Sequence, residues 1–169
     1  MMKRKIFLKA GIIGLSGLIS YPVSGTSFFH EESNKLTAEK IKEFVIAGHS
    51  DLAKVKDMLL EEPNLIYSRF DWGGGDFEEA IEGAGHVGNK EIANYLIEEG
   101  ARVNLFVLTM LGKKNIVIPA LEEYPSLIKA KGPHGFSLLH HAKTGGEESK
   151  EIFDYLVAKG LTEEKFKIK

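Results

Sequence analysis

The 169-residue chain contains no cysteine, which excludes disulfides, thiolate catalysis, cysteine-held metals and lipid attachment through sulfur. It carries little net charge: 22 basic against 24 acidic residues leave a formal −2, and no run of one sign is longer than a few residues. Binding a phosphate backbone requires a basic face, so nucleic acid is not an expected partner. Long apolar runs are also missing. The longest, Ile6 to Ile19, is broken by Lys9 and three glycines, too short and too glycine-rich for a comfortable transmembrane helix. Tryptophan occurs once, at position 72. What remains, 43% hydrophobic and 27% charged residues, is the composition of one ordinary globular domain.

The first residues read as an address. Met1-Met2-Lys3-Arg4-Lys5 is a basic start, the apolar run follows, and Tyr21-Pro22-Val23-Ser24-Gly25 offers the small residues that a signal peptidase needs. This pattern predicts an export signal over residues 1–25, a linker over 26–35, and a mature chain in the periplasm or cell envelope with no membrane contact after signal removal. Arg4-Lys5-Ile6-Phe7-Leu8-Lys9 resembles the twin-arginine export motif, with Lys5 where the second arginine belongs. The general secretory route stays open beside it.

Beyond the linker the chain repeats itself. Glu91-Ile92-Ala93-Asn94-Tyr95-Leu96-Ile97-Glu98-Glu99-Gly100 and Glu151-Ile152-Phe153-Asp154-Tyr155-Leu156-Val157-Ala158-Lys159-Gly160 share Glu, Ile, Tyr, Leu and Gly at identical places sixty positions apart. Each is an amphipathic helix, with Ile92, Tyr95 and Leu96, or Ile152, Tyr155 and Leu156, on one face. Gly100 and Gly160 suit the left-handed position that ends a helix, as does Gly88 after the segment Glu79 to Val87. Val55, Met58 and Leu59, and Val117, Ala120 and Leu121, supply two more such faces. Each of these runs into acidic residues, a proline and an apolar pair (Glu61 to Ile66, Glu122 to Ile128). Pro119 is expected near the first turn of its helix, where proline is tolerated. Thr162 is expected to cap a last helical turn at Glu163-Glu164-Lys165.

Three phrases carry a family resemblance. Ser137-Leu138-Leu139-His140-His141-Ala142 resembles the ankyrin Thr-Pro-Leu-His-any-Ala signature. Leu96 through Gly100-Ala101 to Asn104 resembles the ending of the family's second helix, and Glu79 to Gly88 its first helix, with Glu82 where the signature has His. Leu59, Leu96, Leu121 and Leu156 are spaced 37, 25 and 35 residues apart, averaging close to the roughly 33 residues of an ankyrin repeat. The chain is therefore read as an all-α ankyrin-repeat solenoid over residues 36–169. It would hold about four helix pairs, near 36–66, 76–104, 105–128 and 135–161, with short or irregular hairpin fingers and a C-terminal cap. The phrases Asp71-Trp72-Gly73-Gly74-Gly75-Asp76-Phe77-Glu78 and Gly132-Pro133-His134-Gly135 narrow the likeness to a group of bacterial ankyrin-repeat proteins that stand behind an export signal. That likeness implies no reaction, so the protein is not expected to be an enzyme. It implies a monomer that binds a protein or peptide partner, with neither cofactor nor metal.

Within that frame Phe70 to Glu79 is the unusual segment. Three consecutive glycines allow positive φ and close approach of a ligand. Beside them Trp72 offers a stacking platform, and Asp71 and Asp76 offer recognition of a cation, sugar hydroxyls or an amine. Two readings are open: a binding finger, or a long turn whose aspartates cap the next helix. The histidines also divide two ways. In the ankyrin signature His140 bonds to the neighbouring backbone, and Ser137 opens its helix. His86 and His49, at helix ends, would do similar work. Alternatively, several histidines share a groove with Asp71, Asp76 and Glu79 and form a metal or acid–base site. No pair has the i, i+4 spacing of a helical zinc motif. The contact residues expected on sequence are Asp71, Trp72, Asp76, Glu79, His86, Phe106 and His134, with Ser137, His140, Gly88, Gly100 and Gly160 structural.

Overall fold

A computed structural model of the chain describes residues 35–168. The export signal and almost all of the linker expected on sequence lie outside them. The first helix, α1 (Ala38–Ser50), begins where Thr37 Oγ1 accepts the Lys40 N–H at 3.2 Å. It ends at Ser50, which puts His49 in its last turn. Asp51 then caps α2 (Leu52–Glu61) through Lys54 N–H at 3.0 Å. Pro63 opens a 3-10 turn to Tyr67.

A hairpin follows, pairing β1 (Arg69–Asp71) antiparallel with β2 (Phe77–Glu79). Its turn explains the glycine triplet. Gly73, Gly74 and Gly75 have φ of 95°, 65° and 85°, a run of left-handed residues that only glycine adopts without steric cost. The Trp72 N–H donates to the Asp76 carbonyl at 2.8 Å and closes the loop.

Six more helices complete the described chain: α3 (Ala80–Val87), α4 (Lys90–Glu98), α5 (Leu105–Met110), α6 (Lys114–Glu123), α7 (Leu138–Thr144) and α8 (Lys150–Ala158). Asn89, Asn104 and Ser137 cap α4, α5 and α7. The near-identical α4 and α8 also end alike. Gly100 (φ 96°) and Gly160 (φ 84°) turn left-handed, and the next N–H reaches back to Leu96 O at 2.8 Å or Leu156 O at 3.0 Å. Gly88 (φ 79°) ends α3 in the same way. These glycine ends satisfy carbonyls that a helix otherwise leaves unpaired.

The helices pack as pairs, α1 with α2, α3 with α4, α5 with α6 and α7 with α8, and α1, α3, α5 and α7 also pack in a row. Ile92, Leu96, Ile152, Leu156, Val117 and Leu121 are buried almost completely, so the faces read from the sequence are the core. The close approach of α1 and α3 requires glycine at position 48, where any Cβ would fall on the Ala80 backbone.

Two local expectations are corrected. Thr162 caps no helix. Residues 163–168 are not helical: Lys165 bridges Phe136, Ser137 N–H donates to Glu164 O at 3.0 Å, and Phe166 N–H donates to Gly135 O at 2.8 Å. Those backbone groups pair with the 135–137 segment instead of with one another. Pro119 lies in the second turn of α6, beyond its first turn. Among the described residues no helix is long and apolar enough to cross a membrane.

Candidate functional site

Four side chains from four stretches of chain meet beside the hairpin. In β2 the pleat sends Phe77 outward and Glu78 inward, to complete burial. An unpaired buried carboxylate would be costly, and Glu78 is fully engaged. Its Oε1 lies 2.8 Å from His86 Nε2 and 3.4 Å from His49 Nε2. Its Oε2 accepts the Trp72 Nε1–H at 2.9 Å and lies 3.4 Å from His134 Nε2. The two nitrogens His49 Nε2 and His86 Nε2 are 3.1 Å apart. One ligand atom from each of His49, Glu78, His86 and His134 lies within 4.8 Å of all the others.

Each ring is aimed by what surrounds it. The His49 Nδ1–H donates to Val45 O, one helical turn back, at 3.0 Å. Its ring lies across α3 at Gly83, where an added Cβ would sit 2.7 Å from His49 Cε1. A mid-helix glycine disfavours the helix by roughly 1 kcal/mol relative to alanine. Here it provides the space for a histidine. His86, in the last turn of α3, stacks on Phe136 at 5.1 Å, and its backbone carbonyl accepts the His140 Nε2–H at 2.8 Å. His134 is the only non-glycine residue with positive φ (57°) among those described. Such a conformation costs on the order of 1–3 kcal/mol. Asp76 holds it there, accepting the His134 N–H through Oδ1 at 2.7 Å and the ring Nδ1–H through Oδ2 at 2.8 Å.

The electrostatics follow from these contacts. Burial pushes the Glu78 carboxyl upward in pKa, but hydrogen bonds and charge from His49 and His86 outweigh it and bring it down to about 2. Glu78 in turn raises the His49 pKa, against the lowering effect of burial. With Nδ1 of His49 and of His134 already donating, the neutral form of each ring turns a bare Nε2 lone pair toward Glu78. Lone pairs and a carboxylate crowded at these distances repel one another unless positive charge stands among them. Protons can supply that charge, and so can a metal ion.

Of the residues expected on sequence, Trp72, Asp76, His86 and His134 converge here. Asp71 does not: it is exposed and caps the turn through the Gly73 N–H at 2.7 Å. Glu79 faces away from Glu78 and pairs with Arg69 at 3.5 Å. Phe106 is half-buried against His141, with ring centroids 5.1 Å apart. It lines a cavity of about 260 Å3 with Arg69, Asp76, Glu82 and Lys131. That cavity has none of the four ligand residues in its wall. Ser137 caps α7, accepting the His140 N–H at 3.3 Å.

Sequence reasoning missed Glu78 and left His49 out of the binding set. The hairpin was legible, but a three-residue strand does not say which parity faces inward. An acid within a short strand, between a glycine turn and a helix ending in His86, was the available signal.

Compared with protein-family models, with curated proteins and with solved structures, the chain matches none.

Proposed function

We propose that the protein binds one divalent transition-metal ion, with His49, His86 and His134 as imidazole ligands and Glu78 as the carboxylate ligand. One observation carries this reading: three imidazole Nε2 atoms and a buried carboxylate lie together, with the rings of His49 and His134 held from behind. His49 Nε2, His86 Nε2 and Glu78 Oε1 form a triangle with sides of 3.1, 2.8 and 3.4 Å. Ligands about 2.0–2.1 Å from a tetrahedral ion lie about 3.3 Å from one another, so small adjustments would seat an ion there. The outer contacts fit as well. Metal-bound histidines donate their other ring N–H to a carboxylate or a backbone carbonyl, the roles that Asp76 and Val45 fill here. Three nitrogens and an oxygen suit zinc and its transition-metal neighbours and not magnesium or calcium, which prefer all-oxygen shells.

We place this centre in an exported stack of ankyrin type. The row of first helices, the paired packing and the repeated glycine helix ends support that reading. In such a stack the hairpin would be the finger between the first two repeats. A partner-binding role for the finger has less behind it, because Trp72 spends its N–H on Glu78 and packs its ring edge-on against Phe70.

Native mass spectrometry and calorimetric titration of the metal-freed full chain with Zn(II) test the proposal. One equivalent is expected to bind with micromolar or tighter affinity, and a His49→Ala, His86→Ala double variant is expected to lose it. Equal binding by wild type and double variant would overturn the assignment.

A further inference from the structure

Resting on that metal reading, we infer that the bound ion keeps one coordination position open to solvent, where it takes an exchangeable small ligand, water or a small anion. Glu78 Oε2 accepts the Trp72 N–H, which leaves Oε1, beside the Nε2 atoms of His86 and His49, as the oxygen placed to meet an ion. Both oxygens of Asp76 face His134, which places this carboxylate behind the His134 ring as an outer partner. The protein therefore offers three nitrogens and one oxygen, and no chelating carboxylate.

The four side chains are unequally buried. The side chains of Glu78 and His86 are 0% and 9% exposed, whereas those of His49 and His134 are 24% and 27% exposed. The inner side of the centre is sealed by β2 and α3. Its outer side is bounded by the edges of two partly exposed rings, one from α1 and one from the turn at Pro133–Gly135. Their spacing is uneven as well. His49, His86 and Glu78 Oε1 form the tight triangle, while His134 approaches the other oxygen of Glu78 at 3.4 Å. Three donors clustered on one side of an ion, with a looser fourth, leave a face uncovered. Held by four protein donors, the ion would take a further ligand by expanding to five-coordinate, as zinc does in some catalytic sites, and this face is where that ligand would enter.

The test uses the full chain loaded with Co(II), whose visible absorption reports coordination number and ligand exchange, titrated with azide. A saturable shift of the visible bands is expected, with one azide per cobalt and the cobalt retained on the protein through gel filtration. Bands that stay unchanged under excess azide on stoichiometrically bound cobalt would show a closed centre and overturn this inference, leaving the metal site standing. Azide that strips the cobalt would also count against an open position. A chain that takes up no Co(II) would remove the metal reading itself.

Discussion

Asp76 grips His134 twice, through its backbone N–H and its ring Nδ1, across fifty-eight positions of sequence. The pair fixes both an unfavourable backbone angle and the tautomer that turns Nε2 toward Glu78. Asp76→Asn keeps the size but presents an amide N–H to the ring. His134 Nδ1 must then accept, and the proton moves to Nε2, where an ion would bind. Zn(II) affinity is expected to fall about 10- to 100-fold. Calorimetry showing wild-type affinity in this variant would mean that His134 is not a ligand.

Gly83 separates folding from function. In Gly83→Ala the helix gains about 1 kcal/mol of intrinsic preference, while the new methyl group meets the His49 ring. The expected outcome is helical circular dichroism close to wild type together with Zn(II) binding about tenfold weaker. Unchanged affinity would show that His49 can bind from another rotamer.

The buried His141 sets an acid limit on stability. Burial lowers its pKa to about 4 and the charges of His140 and His86 add to that, against the Nδ1–H bond to Ser137 O, which favours the protonated ring. Its Nε2 has no hydrogen-bond partner. As pH falls, the unfolded chain takes up this proton near 6.5 and the folded chain only near 4. Stability is therefore full above about pH 6.5 and is lost progressively toward pH 4, by up to about 3 kcal/mol. His49, with its pKa raised, acts in the opposite direction. The readout is consequently the difference between wild type and His141→Phe. Urea midpoints at pH 7.5 and 5 are expected to separate more in wild type. Equal separation in both proteins would discount His141 as the source.

Ser137 is expected to matter for stability alone. Its hydroxyl accepts the His140 N–H and donates to Glu163 O at 2.6 Å, so it caps α7 and ties the C-terminal segment to it. Ser137→Ala should cost about 1–2 kcal/mol in chemical denaturation, with the full Zn(II) stoichiometry kept. A loss below 0.5 kcal/mol, about the size of an ordinary surface change, would contradict the double role.

The helix faces were legible because a periodic apolar pattern has one physical solution. Ile92 and Leu96, like Ile152 and Leu156, can be buried only along one side of a helix. Gly100 and Gly160 mark their own helix ends, and the glycine triplet marks a tight turn. The candidate site was only half legible. Asp76, His86 and His134 stood out by residue type, but their convergence depends on distances between segments that no local pattern encodes. Glu78 stayed hidden because strand parity is decided by what lies beneath the hairpin. His49 was visible at a helix end, but a helix-end histidine is as readily a backbone partner as a ligand, and only its place beside Glu78 separates the two. The Thr162 cap failed for a related reason: a local capping preference lost to pairing with Phe136, far away in sequence.

The origin of the ligands along the chain has a consequence for cooperativity. Helices that lean mainly on their neighbours can fray from either end of the row, each end melting on its own account. His49 comes from the first helix of that row, and His134 from the turn just before α7, the last helix in it. An ion held by both would act as a tether along the row, so α1 could not peel away without releasing it. Hydrogen exchange of α1 and of the 132–136 turn would then slow together as metal is added, making these two distant segments open as a single unit.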